Sequence, residues 1–257
     1  IVMIWRDADT AKLEDHLSRL RRSTLPVSVA FEGVVGTVVS GSVRRIGDLA
    51  AFQTQRPPFS FLESALKRLF DICFSSMTLI ALSPMMLLVA VAIKLDSKGP
   101  VFFFQTRKGY GGRTFRIVKF RSMRVLEDGP QLRQATRSDL RVTRVGAFIR
   151  STSIDELPQF WNILKGDMSV VGPRPHALAH DDFYDAQIGR YIFRRHVKPG
   201  LTGWAQVNNC RGETPDIERM EERVAHDLWY INNWSMMLDF KIICRTAFQL
   251  HDTGAVY

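Results

Sequence analysis

The sequence predicts a membrane-associated α+β protein. It has an apolar helical anchor, then a mostly helical basic domain with a small hairpin, and before both part of a small α/β domain. Three observations carry this. Residues Ile72 to Ile93 form a run of 22 without a charge, with Ser83-Pro84 near its middle. Residues 26–42, PVSVAFEGVVGTVVSGS, are valine-rich with glycine punctuation, which suggests two or three short strands. Beyond the run, VFFFQTR and Thr114–Phe120 flank the turn Tyr110-Gly111-Gly112-Arg113 and read as a hairpin.

In chain order, residues 1–27 hold a short apolar opening and KLEDHLSRLRR, a surface helix with Leu13, Leu17 and Leu20 on one side. Residues 43–62 carry Pro57-Pro58 and little periodicity, and read as linker. Residues 1–58 are thus expected to be the remnant of a small α/β domain with its linker, and 59–257 the main domain with its membrane helix at 67–95. The chain starts without methionine or a basic-then-apolar leader, as expected of part of a longer protein or its ordered portion.

As a helix, the uncharged run reaches roughly 33 Å, about the thickness of a bilayer core. Pro84 removes one backbone donor and clashes with the preceding turn, so a kink is expected there. Lys67 and Arg68 precede the run; Lys94, Lys98, Arg107 and Lys108 follow it. A spanning helix carries its positive excess on one side, whereas here both flanks are basic. Two geometries fit: a helix that enters the membrane, bends and leaves on the same side, or a helical hairpin buried in a soluble core. A plain transmembrane span is the third.

The chain has 257 residues, 35 Lys and Arg against 26 Asp and Glu, and a net charge of +9. That balance favours an anionic partner: nucleic acid, acidic lipid or a phosphorylated small molecule. Ser97 to Leu126 holds eight Lys and Arg and no acid, as suits a phosphate or diphosphate site, an acidic-lipid face, or both. Cys73, Cys210 and Cys244 make no metal spacing and no disulfide framework. The six histidines form no HExxH, so spacing gives no zinc site, and GxGxxG, GK[ST] and GxSxG are absent. No recognition module with interleaved exposed aromatics is present, which argues against nucleic acid.

Residues 127–143 read as irregular, and 144–150, RVGAFIR, as a short helix. In STSIDELPQFWNILKGDMS, Asp155 as N-cap puts Glu156 first and Pro158 third, with Leu157, Phe160, Trp161 and Leu164 as a buried stripe. Both carboxylates would then be ionised at the helix end, fit for a nucleophile or a metal ligand. On spacing alone, a cap and a first-turn acid is the favoured account of them. Val170-Val171-Gly172-Pro173-Arg174-Pro175-His176 is a stiff turn that fixes a guanidinium for a phosphate. Asp181, Asp182 and Asp185 are expected to face solvent. Trp204 and Gln206 are candidates for a ligand or interface, with core packing the alternative for Trp204. Residues 234–250 suit either an interfacial helix or core packing.

Seven local patterns, together covering about residues 63–250, then point to a family. They are KRLFD at 67–71, the Ser83-Pro84 kink, GPVFFFQTRKGYGGRTFRIVKFRSM at 99–123, TRVGAFIRSTSIDELPQFWNILKGDMSVVGPRP at 143–175, VKPGLTGWAQV at 197–207, RGET at 211–214 and DLWYINNWSMMLDFKII at 227–243. The chain resembles the bacterial sugar transferases, monotopic phosphoglycosyl transferases acting on polyprenyl phosphate, in their long exopolysaccharide-initiating form. Residues 1–58 resemble the end of the regulatory domain of larger members.

The resemblance implies that a UDP-sugar, most often UDP-glucose, gives its sugar-1-phosphate to undecaprenyl phosphate, and UMP leaves. Galactose is the alternative sugar, and a non-catalytic membrane scaffold is the alternative role. Asp155 would be the nucleophile, forming a phosphosugar-aspartyl intermediate, and Glu156 would help hold Mg²⁺. Lys119, Arg121, Arg144 and Arg174 would surround the phosphates, with Arg107, Arg150 and Gln206 as weaker choices. The implied setting is the cytoplasmic face of the bacterial inner membrane, beside anionic lipids, and a homodimer is left open. Together with the charge pattern, the resemblance favours the re-entrant geometry, with Ser83 and Pro84 as the kink.

Overall fold

The computed structural model describes residues 2–5, 12–13, 15–16, 28–31, 42–46, 49–53, 59–124, 139–210, 212 and 216–251. The chain divides into two compact units, Ile1–Pro57 and Pro58–Tyr257.

In the first unit, β1 (Val2–Trp5) pairs parallel with β2 (Ser28–Phe31). Parallel neighbours need a crossover connection, and the described residues between them, Lys12, Leu13, Asp15 and His16, are helical. Leu17 and Leu20 of the expected helix lie outside the described residues. β3 (Ser42–Ile46) and β4 (Leu49–Gln53) form an antiparallel pair, with Ser42 opposite Gln53. Part of the stretch read as linker is therefore strand. Its alternation is short and interrupted by Arg44 and Arg45, which hid the signal.

The second unit begins with α1 (Phe61–Asp96), a helix of 36 residues. A capping box starts it: the Ser60 hydroxyl accepts from Glu63 N at 3.2 Å, and the Glu63 carboxylate accepts from Ser60 N at 2.7 Å. The element expected as helix-break-helix is one continuous helix with Pro84 inside it. Pro84 leaves the Ile80 carbonyl without its usual donor, and the Ser83 hydroxyl donates to that carbonyl at 2.8 Å. Serine and proline side by side thus keep the backbone satisfied in apolar surroundings.

α1 buries a stripe of Lys67, Asp71, Ser75 and Ile93, while Leu66, Leu69, Ile72, Met77, Ile80, Leu87, Leu88, Val91 and Leu95 are exposed. It is the one helix among the described residues long and apolar enough to cross a membrane. Toward its start, Lys67 pairs with Asp239 at 2.7 Å, and Arg68 donates to the Ile163 and Leu164 carbonyls, both at 2.6 Å. Asp71 accepts from Ser169 Oγ at 3.0 Å and Val170 N at 2.9 Å. At its end, Asp96 accepts from Val145 N at 3.2 Å. Both ends of the apolar helix are thus tied to the same domain.

β5 (Phe102–Lys108) and β6 (Thr114–Phe120) form the expected hairpin, antiparallel with Phe102 opposite Phe120. Gly111 takes a left-handed φ of 61° in the turn between them. α2 (Arg144–Ser151) is capped by Thr143, which accepts from Gly146 N at 2.9 Å. A 3₁₀ turn (Ile154–Glu156) leads into α3 (Gln159–Lys165) and β7 (Ser169–Val171). There follow α4 (Leu178–Gln187), a 3₁₀ segment (Tyr191–His196), β8 (Gly200–Thr202) parallel to β7, α5 (Trp204–Val207), α6 (Ile217–Asn232) and α7 (Met236–His251).

The main core gathers Phe160, Ile163, Met168, Val171, Tyr230 and Ile242, with Phe70 and Phe74 of α1 packed against it. The last helix packs one face into the core and leaves an apolar face exposed. Leu238, Asp239 and Ile242 are buried, while Met237, Phe240 and Phe248 are exposed.

Candidate active site

Asp155 and Glu156 lie on the 3₁₀ turn ahead of α3, rather than at the N-cap and first position of an α-helix. The reason is local. Ser153 takes a left-handed conformation (φ 57°, ψ 16°), and three-residue bonds follow, from Glu156 N to Ser153 O and from Leu157 N to Ile154 O, both at 3.2 Å. α3 starts only after Pro158. This changes the helix phase, so the buried face holds Gln159, Phe160, Asn162 and Ile163, while Trp161 is 60 % exposed and Leu157 and Leu164 are half-buried. Strain at a non-glycine left-handed residue is common beside functional groups.

The two carboxylates are treated differently. Lys119 Nζ donates to Glu156 Oε1 at 2.7 Å. Arg174 donates to both oxygens of the same carboxylate, at 3.1 and 2.5 Å. Asp155 accepts no hydrogen bond among the described residues. Burial works to raise Glu156, but Arg174 and Lys119 outweigh it and hold the carboxyl well below the usual range. For Asp155, burial wins over Lys119, Arg150 and Arg174, and with Glu156 beside it the carboxyl is pushed up to about 6. The expectation of two alike ionised groups is thereby refined. Glu156 is locked as an anion, and Asp155 is ionised at neutral pH but desolvated and, among the described residues, without a hydrogen-bond donor, the state that favours a nucleophile.

Several residues position this pair. The Asn162 amide donates to Arg116 O at 2.8 Å, and its oxygen accepts from Val118 N at 2.9 Å, so α3 grips the free edge of β6 beside Lys119. Arg174 follows β7, whose parallel partner β8 comes so near that a Cβ on Gly172 would lie 2.5 Å from Lys198 O. One on Gly200 would lie 2.1 Å from Gly172 N. The GPRP and KPGLTG segments interlock for want of side chains there. Gly172 N donates to Thr202 O and Gly200 N to Pro173 O, both at 2.9 Å. Buried Arg194 donates to Arg174 O at 2.8 Å and to Asp227 at 2.7 Å. Sequence reasoning reads Arg194 and Gly200 only as parts of a basic turn and assigns no positioning role to them, to Asn162 or to the close-packed Gly172 and Gly203. The glycine spacing in GPRP and KPGLTG was the available signal.

The other expected residues are distributed more widely. Arg150 is near enough to act on Asp155 electrostatically. Arg121 is buried and donates to Ser97 O at 2.7 Å, to Ile93 O at 3.3 Å and to Lys98 O, so it caps the end of α1 rather than joining Lys119 and Arg174 at Glu156. A helix C-terminus offers unpaired carbonyls and partial negative charge, which a guanidinium fork satisfies. Arg144 is exposed at the start of α2, close to Asp96. Arg107 donates to Gln105 and to Pro175 O at 3.4 Å, within the turn that carries Arg174. Gln206 is buried and donates to Leu201 O at 3.4 Å, inside the KPGLTG segment. Trp204 stacks on Trp229 with ring centroids 4.8 Å apart. Asp181, expected to face solvent, is buried between Tyr191 at 2.8 Å and Arg195 at 2.8 Å; Asp185 also receives Arg195, and Asp182 is the exposed one. The basic segment at 190–198 draws Asp181 inward by pairing its charge.

A small cleft beside Arg174 is lined by Lys108, Pro173, His176, Asp181, Arg195 and Pro199, with Asp181 paired to both Lys108 and Arg195. For Mg²⁺, the dyad supplies the right donor type: Mg²⁺ takes one or two carboxylates together with substrate phosphates. Glu156 already accepts three hydrogen bonds of roughly four that a carboxylate takes, leaving it one lone-pair site beside the open carboxylate of Asp155.

The family model described as bacterial sugar transferase matches residues 62–253. A Klebsiella pneumoniae protein named UDP-glucose:undecaprenyl-phosphate glucose-1-phosphate transferase is 44% identical over 94% of this chain and 52% of its own length. One of the same name from Xanthomonas campestris pv. campestris is 52% identical over 74% of this chain and 40% of its own. An Aeromonas hydrophila UDP-N-acetylgalactosamine-undecaprenyl-phosphate N-acetylgalactosaminephosphotransferase is 46% identical over 96% and 57%. The chain spans about half the length of these curated relatives. A divided carboxylate pair under two cations, on a domain tied to both ends of an apolar helix, thus meets a match over most of the chain: it belongs to the bacterial sugar transferase family.

Proposed function

We propose that the chain transfers a sugar-1-phosphate, glucose-1-phosphate first among candidates, from a UDP-sugar to undecaprenyl phosphate and releases UMP. The product would start an exopolysaccharide or capsule repeat unit. The observation that carries this is the asymmetry of the dyad: Glu156 is engaged by Lys119 and Arg174, and Asp155 beside it has no hydrogen-bond donor among the described residues.

In the first step an Asp155 oxygen attacks the phosphorus that bears the sugar. The bond from that phosphorus to the bridging oxygen breaks, and UMP leaves with the electron pair. In the second step an oxygen of undecaprenyl phosphate attacks the same phosphorus and Asp155 leaves as carboxylate. Lys119 and Arg174 hold Glu156 fixed and lend positive field to the transferring group, with Arg150 nearby. Mg²⁺, when bound, would be held by Glu156 with Asp155 beside it and would neutralise charge on the diphosphate. Two displacements at one carboxylate let a soluble donor and a membrane acceptor use the site in turn.

The re-entrant geometry is part of this reading. It is supported by the bonds from one domain to both Lys67, Arg68 and Asp71 at the start of α1 and Asp96 and Ser97 at its end. A helix whose ends lay on opposite sides of a bilayer could not keep both sets. The domain then rests on the cytoplasmic face of the inner membrane, its basic residues against anionic lipid.

A second sugar is favoured by one finding: the Aeromonas relative is named for N-acetylgalactosamine. Galactose, and a scaffold without catalysis, are the remaining alternatives. A donor panel separates them. With undecaprenyl phosphate and Mg²⁺, UMP release is expected with UDP-glucose above the other UDP-sugars. Release with another sugar alone would reassign the donor, and release with none would favour the scaffold.

A further inference from the structure

Cys210, Glu222 and His226 come together where the turn after α5 meets α6. Their thiol, a carboxylate oxygen and a ring nitrogen all lie within 4.8 Å of one another. Glu222 and His226 are four residues apart on one helix, so they share a face. Asn209 takes a left-handed φ of 66° before Cys210, whose N–H donates to Ala205 O at 3.0 Å. That turn fixes the buried thiol against the helix. Among the described residues, the thiol makes one long contact, to Asn208 O at 3.8 Å, and Glu222 and His226 have no hydrogen-bond or ion-pair partner. Three donors of three different types converge with little else to hold them there.

We infer that Cys210, Glu222 and His226 form a second metal site, for a zinc-class divalent cation bound by thiolate, imidazole and carboxylate with a fourth position open to water. The donor set decides the class. Thiolate and imidazole suit zinc and its neighbours, whereas the all-oxygen dyad suits Mg²⁺. On binding, the Cys210 thiol gives its proton to solvent and its sulfur lone pair to the ion. The spacing, eleven residues between Cys210 and Glu222 and three between Glu222 and His226, matches no zinc pattern legible in a sequence.

The ion would clamp the turn after α5 to α6. The same helix carries Asp227, which holds Arg194 at 2.7 Å, and Arg194 in turn holds the Arg174 carbonyl. It also carries Arg223, which reaches His176 Nε2 at 3.4 Å and donates to Gly212 O at 3.0 Å. The ion's effect would be to brace the helix that supports Arg174.

Cobalt titration tests this on the full chain in detergent after stripping with a chelator. The expected result is one Co²⁺ per chain, with a thiolate-to-cobalt charge-transfer band and the visible bands of a tetrahedral ion, displaced by Zn²⁺ and not by Mg²⁺. C210S should abolish the charge-transfer band, and E222Q and H226Q should weaken binding about tenfold or more. Retained secondary structure by circular dichroism in each variant separates lost binding from lost fold. No thiolate band in the unaltered chain, or cobalt binding unchanged in all three variants, would overturn the site.

Discussion

Arg174 closes on Glu156 with both terminal nitrogens, at 3.1 and 2.5 Å, while Asp155 next to it accepts no hydrogen bond among the described residues. The pairing is a planar fork on a planar carboxylate, which lysine does not reproduce. R174K should therefore lower UMP release by about a hundredfold or more, the scale found when one preorganised electrostatic contact is removed. R174A should do no better. Steady-state UMP release measures both, and near-normal activity in R174K would show that the fork is dispensable.

The salt bridge between Lys67 and Asp239 pins the start of α1 to α7. Both side chains are nearly inaccessible, at 8 % and 0 %, and Asp239 also accepts from Tyr230 at 2.8 Å and Trp234 at 3.2 Å. Removing one partner strands a buried charge, so K67M should cost about 3–5 kcal/mol. D239N should cost as much, because it strands the Lys67 ammonium and sets an amide N–H where Oδ2 accepts from Lys67 and Trp234. Denaturant unfolding in detergent measures both, and a K67M effect under about 1 kcal/mol would mean that water reaches the pair.

Gly200 stands between two strands with no room for a methyl group. A Cβ there would lie 2.1 Å from Gly172 N and 2.4 Å from Thr202 O, both backbone. G200A should part β7 from β8, displace Arg174 and destabilise the domain by about 1–3 kcal/mol. Gly189, with nothing within 4 Å of its Cβ position, is the control, and G189A should be silent. Thermal unfolding and UMP release together read the outcome.

Acid should destabilise the domain through His176. Burial first, then Arg194, Arg223, Arg107 and Arg174, hold its imidazole well below the ordinary 6.5. Tyr191 and Asp181 complete the cluster packed around it. The unfolded chain then binds a proton below pH 6.5 that the folded chain does not, so stability falls as pH drops from 6.5 toward the depressed folded value. H176N should flatten that slope. A pH series of unfolding midpoints checks it, and an unchanged slope in H176N would assign the acid sensitivity to another group.

Much of this was legible in the sequence because it is local. The uncharged run, the Ser83-Pro84 pair, the hairpin about Tyr110-Gly111-Gly112 and the Arg174 turn each declare themselves within a few residues. What was not legible depends on distant partners. Lys119 lies in β6 and Arg121 just past its end, two residues apart, yet Lys119 faces Glu156 and Arg121 turns back to cap α1. Continued alternation would place them on one face, but the strand ends between them at Phe120, and Arg121 turns to the carbonyls at the end of α1. Asp155 and Glu156, neighbours in sequence, differ because Lys119 and Arg174 arrive from 37 residues before and 18 after Glu156. The Trp161 error came from a three-residue 3₁₀ turn that shifted a helix phase. Asp181 reads as a surface acid until the 190–198 segment folds over it.

The central claim is that Asp155 becomes covalently linked to a sugar phosphate, and intact-protein mass measurement tests it most directly. The protein is mixed with Mg²⁺ and UDP-glucose, without undecaprenyl phosphate, and quenched. The account predicts a mass gain of one hexose phosphate, localised to the peptide bearing Asp155, matched by UMP release of about one per chain, absent in D155N and lost when undecaprenyl phosphate is added. Full turnover by D155N, or an adduct on another residue, would contradict it.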